Sequence, residues 1–88
     1  MSYNTEGMTC YVYRSSRKQD TYLYLPVKDD FSSLPDALMN VFGAPVFALE
    51  FELTPQRRLA REDAAQVMEN LRIRGFHLQM PVENQTPA

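Results

Sequence analysis

Of the side chains that carry most enzymatic chemistry, this chain holds one histidine, His77, and one cysteine, Cys10. Covalent catalysis needs a nucleophile beside a base, and a metal site needs several His, Cys or carboxylate ligands at suitable spacing. Cys10 and His77 supply neither, so no catalytic residue, no cofactor site and no metal site is assigned. Cys10 shares a strand face with Val12 and reads as a small core residue. His77, between Phe76 and Leu78, faces away from both, under a helix or at the surface, where a pH-sensitive contact is the functional alternative. The three glycines, Gly7, Gly43 and Gly75, are isolated, so neither a phosphate-cradling loop nor a dinucleotide fingerprint can be written. Asp29 and Asp30 are adjacent and point apart, whereas Glu50 and Glu52 share a solvent face; no pocket is evident that would separate their pKa values for acid–base work. The expectation is a protein that is not an enzyme.

Binding chemistry is better represented. Tyr11, Tyr13, Tyr22 and Tyr24 fall on two neighbouring strands, with Arg14, Arg17 and Lys18 at the turn between them. Aromatic faces beside cations can stack bases and hold phosphates, and the same residue types are enriched in protein interfaces. A covering helix would instead bury the rings and leave their hydroxyls at the rim. Arg57, Arg58 and Arg61 form a second basic cluster. Should the fold bring it near the turn, the two clusters make one basic rim.

The elements that must position these residues follow from periodicity. Residues 9–14 and 21–25 alternate with period two around the polar run 15–20, which predicts an N-terminal β-hairpin. The simplest register groups the aliphatics on one face and the four tyrosines on the other. Ser33-Leu34-Pro35-Asp36 carries helix-start chemistry with serine as cap, followed by a stripe of Leu34, Leu38, Val41 and Phe42 and a stop at Gly43. Residues 46–53 predict a third strand with Phe47, Leu49, Phe51 and Leu53 inward. A second helix follows, with the acids of Arg61-Glu62-Asp63 in its first turn and Ala64, Val67, Met68 and Leu71 buried. Gly75 ends it, and residues 76–80 form a fourth strand. The order is β-β-α-β-α-β, an α+β chain.

Eighty-eight residues suffice for one domain. The formal net charge of -2 conceals segregation: residues 1–28 hold four bases and two acids, 29–53 five acids and no base, and 54–88 five bases and four acids. The total therefore argues against a dedicated nucleic-acid binder without excluding local binding. A lone cysteine and no recognisable leader or membrane-spanning run make a cytoplasmic protein the expectation. Residues 1–7 and 83–88 read as loose ends around a domain at 8–82.

Three stretches together resemble the YcgL family of small bacterial proteins, a domain of unknown function: Tyr13-Arg14-Ser15-Ser16 with Asp20-Thr21-Tyr22-Leu23-Tyr24, Leu34-Pro35-Asp36-Ala37-Leu38-Met39 with Phe42-Gly43, and Gly75-Phe76-His77-Leu78-Gln79-Met80-Pro81. The resemblance implies an α/β/α sandwich and carries over no catalytic residue. The residues themselves suggest a non-enzymatic protein-interaction module with an unknown protein partner. The alternative is an accessory RNA-binding domain, with Arg14, Arg17, Lys18, Arg57 and Arg58 on phosphates and Tyr11, Tyr13, Tyr22 or Tyr24 stacking. No membrane partner is expected.

Overall fold

The computed structural model describes residues 7–81. Most of the expected loose ends, residues 1–6 and 83–88, lie outside that range. Within it the chain runs β1 (Met8–Arg14), β2 (Tyr22–Leu25), α1 (Asp36–Phe42), β3 (Val46–Leu53), α2 (Ala64–Ile73) and β4 (His77–Gln79), the expected order. All pairings are antiparallel, and the strand order is β3-β1-β2-β4. The link from β2 through α1 to β3 passes over β1, and the link through α2 carries the chain from one sheet edge to the other.

Two apolar clusters lie on opposite faces of the sheet. On one, Ala64, Val67, Met68 and Leu71 of α2 pack on Cys10, Val12, Tyr24 and Leu53. On the other, Leu34 and Phe42 pack on Tyr13, Leu23 and Leu25, with Leu38 and Met39 of α1 alongside. The result is a sheet between two helices. Val67, Met68 and Leu71 of the α2 stripe each contribute about 1.5–3 kcal/mol by burial. That stripe is the one predicted, but the α1 stripe is not: Met39 packs inward and Val41 is 51% exposed.

The hairpin register corrects the expected tyrosine face. Val12 pairs with Tyr24, Tyr13 with Leu23 and Tyr11 with Leu25, so Tyr22 and Tyr24 share the α2 face with Cys10 and Val12, and Tyr11 and Tyr13 share the α1 face with Leu23 and Leu25. A shift of one residue in pairing moves a whole strand's side chains to the opposite face. With helices on both faces, each face takes its own mixture of aliphatic and aromatic residues.

On β3 the expected alternation also breaks. Val12 pairs with Leu49 but Tyr13 pairs with Phe47, leaving Ala48 as the extra residue of a β-bulge. Phe47 thereby joins the α1 face, its ring 5.5 Å from that of Tyr13 in an edge-to-face pair. Phe47 and Leu49, expected inward together, are on opposite faces and 42% and 47% exposed.

Helix ends show which local signals survive. Pro35, not Ser33, is the N-cap of α1, and Ser33 Oγ donates to the Gly75 carbonyl at 3.2 Å. Asp63 lies just outside α2 as its cap, accepting from Gln66 N at 3.1 Å, so the acids precede the first turn. Gly43 and Gly75 stop their helices as predicted, at φ +78° and +86°.

Candidate functional site

The hairpin turn is tied to α1. Ser15 Oγ donates to the Phe42 carbonyl at 2.7 Å and accepts from Lys18 N at 2.7 Å and Arg17 N at 3.1 Å. With Arg17 N, which donates to the same oxygen at 3.4 Å, this bond satisfies a carbonyl that has no partner within the helix. It also fixes the direction of the turn. A methyl group at Gly43 would meet Arg17 Cγ at 2.6 Å, and Lys18 lines a cavity of about 230 Å³ with Leu38, Val41 and Phe42. Arg17 and Lys18 therefore lie on the α1 side.

The α2 side holds a larger groove, of about 450 Å³. Because α2 covers only part of its face, side chains from all four strands remain as a floor: Leu49 and Phe51 from β3, Val12 from β1, Tyr22 and Tyr24 from β2, and Gln79 from β4. The wall is the connector between β3 and α2, with Arg57, Arg58, Leu59, Ala60 and Arg61. Arg57 is partly engaged, its guanidinium 4.7 Å from the centre of the Phe51 ring and Nη1 donating to the Glu52 carbonyl at 3.3 Å. Arg58 and Arg61 are exposed. Among the described residues no carboxylate pairs with any of these arginines; Glu62 instead approaches His77, at 2.8 Å. Arg14, paired with Tyr22, is on the same face but does not line the groove.

The expected nine-residue set is thus divided. Tyr22, Tyr24, Arg14, Arg57 and Arg58 come together on the α2 face; Tyr11 and Tyr13 are on the other face, and Arg17 and Lys18 flank α1. The single basic rim does not form. Sequence reasoning missed Leu49 and Phe51 as groove floor, having assigned them to the core; a strand followed by a long connector was the available signal that this part of the sheet lacks a helical cover.

Two tyrosines have structural duties. Tyr24 is only 7% exposed, and its hydroxyl donates to Gln79 Oε1 at 2.5 Å. Burial, with smaller contributions from Glu62, Cys10 and Tyr22, pushes its pKa up to about 12. Tyr13 donates to Asp29 Oδ1 at 2.8 Å and accepts from Asp29 N at 2.6 Å, holding that residue at φ +62°. Burial first, then the bond to Asp29, raises its pKa.

His77 lies under α2. Asn70 Oδ1 accepts from Gln66 Nε2 at 3.3 Å, which leaves the Asn70 amide nitrogen to donate to His77 Nδ1 at 2.9 Å. Nε2–H of a neutral imidazole then donates to Glu62 Oε1 at 2.8 Å. Both ring nitrogens are satisfied. Cys10 is fully buried, and desolvation raises its thiol to about 12, so it holds no thiolate at neutral pH. Asp29 and Asp30 bond to different partners, Tyr13 and Ser32. No group of three or more His, Cys, Asp or Glu suited to a metal ion occurs among the described residues, and no helix there is long and apolar enough to cross a membrane.

A sequence profile of the YcgL domain matches residues 10–82. The chain belongs to the YcgL domain family. It is 60% identical over 80 residues to a YcgL domain-containing protein of Thioalkalivibrio sulfidiphilus, covering 91% of this chain and 99% of the relative. Over 72 residues it is 51% identical to a YcgL domain-containing protein of Pseudomonas aeruginosa and 49% to one of Azotobacter vinelandii, each alignment covering 82% of this chain and 74% of the relative. The expected resemblance is thereby shown, and these relatives are bacterial. Their names state the YcgL domain and no activity, so the groove's use must be argued from its own chemistry.

Proposed function

We propose that this YcgL domain is a non-enzymatic, cytoplasmic protein-interaction module that docks its partner in the groove on the α2 face. The observation that carries this reading is the composition of the groove: an apolar and aromatic floor, with Leu49 nearly half exposed, beside two exposed arginines that have no carboxylate partner among the described residues. Aromatic residues and arginine around an apolar centre are the make-up of a protein interface. A stacking series for RNA is less well supported. Tyr24 is buried, the Phe51 ring is covered by Arg57, and among the described aromatic residues of the groove Tyr22 is left as a platform.

Affinity capture from cell lysate with the unaltered chain, Leu49→Glu and Arg17→Ala/Lys18→Ala checks the reading. The partner should be recovered by the first and third and lost from the second. Identical recovery by all three would remove the groove as the docking surface. Recovery abolished by ribonuclease would favour the RNA-binding alternative instead.

A further inference from the structure

We propose that the groove takes a short acidic segment of the partner, extended across the strands, with an aromatic side chain seated on the floor. This rests on the protein-interaction reading above and adds the chemistry of the occupant. The groove runs over all four strands, so at about 4.8 Å between neighbours its floor is about 14 Å across. An extended chain at roughly 3.3 Å per residue spans that distance in about four to five residues.

Charge selects the segment. The described acids near the arginine wall are already committed: Glu62 bonds His77 and Asp63 caps α2. Glu50 and Glu52 pair with Tyr11 and Thr9 in the register and so belong to the α1 face, where Glu52 accepts from Thr9 at 3.4 Å. Among the described residues no carboxylate pairs with Arg58 or Arg61, whose planar guanidinium groups suit bidentate bonds to a partner's carboxylates. The apolar centre between Leu49 and Tyr22 is the place for one ring. Phosphates would also satisfy the arginines, but among the described residues of the groove a run of bases would find one free platform, Tyr22, which favours the peptide.

The test uses three fluorescent probes on the full chain: a synthetic peptide of about eight residues with glutamates flanking a central phenylalanine, its glutamine counterpart, and an oligouridylate of matching charge. Anisotropy should show the acidic peptide binding and the glutamine peptide binding at least about tenfold more weakly, a difference of 1.4 kcal/mol. Arg58→Ala/Arg61→Ala should weaken the acidic peptide by a similar factor, Leu49→Glu should abolish binding, and Arg17→Ala/Lys18→Ala should change it less than about twofold. Circular dichroism confirms that each variant is folded.

Equal binding of the two peptides, lost in Leu49→Glu, would overturn the acidic specificity and leave the protein-docking reading standing. Binding of the oligouridylate in place of the acidic peptide, with the same dependence on Arg58 and Arg61, would overturn both. No binding of the acidic peptide, or binding indifferent to Leu49, Arg58 and Arg61, overturns the inference.

Discussion

Tyr13, Tyr24 and Cys10 show how burial turns titratable groups into structural ones. All three are held neutral, because ionising them would place a charge among apolar neighbours. The sign of the pH effect follows. Each group loses its proton at its ordinary value in the unfolded chain, 9.0 for the thiol and 10.0 for the phenols, but higher when folded. Above those ordinary values the unfolded state binds fewer protons than the folded state, so stability falls as pH rises. Urea midpoints should be insensitive to these three groups up to about pH 8. They should then decline from near 9.0, with the contributions of Cys10 and Tyr24 exhausted near pH 12. Replacing Cys10 by alanine should remove the earliest part of the decline. A midpoint that stays level to pH 11 in this chain would show that these side chains are not sequestered.

Among the elements, β3 departs furthest from its pattern. A two-residue alternation over Phe47, Leu49, Phe51 and Leu53 reads as one buried face, and from Leu49 onward those residues do share a face. Ala48 breaks the phase, and nothing in a single sequence separates an alanine that occupies a bulge from one that continues a strand. The bulge has a second consequence, because β3 is an edge strand of eight residues and bulges twist edges away from unwanted pairing. Lys28, 4.7 Å above the Phe47 ring, adds a charge to the same edge, and Arg57 occupies the Glu52 carbonyl. Deleting Ala48 removes the residue without a partner while keeping Tyr13 opposite Phe47 and Val12 opposite Leu49. The variant should fold, straighten its edge and associate more strongly with increasing concentration than the unaltered chain. Sedimentation velocity measures this, and identical behaviour of the two would show that the bulge does not guard the edge. The helices were more legible. Four residues of α2 at helical spacing were predicted buried and are, since an amphipathic stripe needs only one apolar surface to face. Ser33 was read as a cap because the serine and proline chemistry is local; its hydroxyl instead reaches Gly75, a partner 42 residues away.

For the molecule as a whole, the α2-side core and the groove occupy the same face of one sheet and share Val12 and Tyr24, but the arginine wall lies outside the core. Leu71→Ala should cost about 2–5 kcal/mol, as expected for a leucine buried between its helix and the sheet. Arg58→Ala/Arg61→Ala should change stability by less than about 1 kcal/mol, because both side chains are exposed and have no carboxylate partner among the described residues. Chemical denaturation separates the two. A large loss in the arginine variant would mean that the wall braces the fold. The sequence by itself determined the element order, the helix stops at Gly43 and Gly75, the α2 stripe and the scarcity of catalytic chemistry, all of which depend on residue type and spacing along the chain. Tertiary structure alone decided which tyrosines share a face, where β3 changes phase, and that Arg57, Arg58 and Arg61 stand over Leu49 and Tyr22 and not beside Arg17 and Lys18. Those outcomes depend on strand register and on which part of each sheet face a helix leaves uncovered, and both are settled by contacts between residues far apart in the chain.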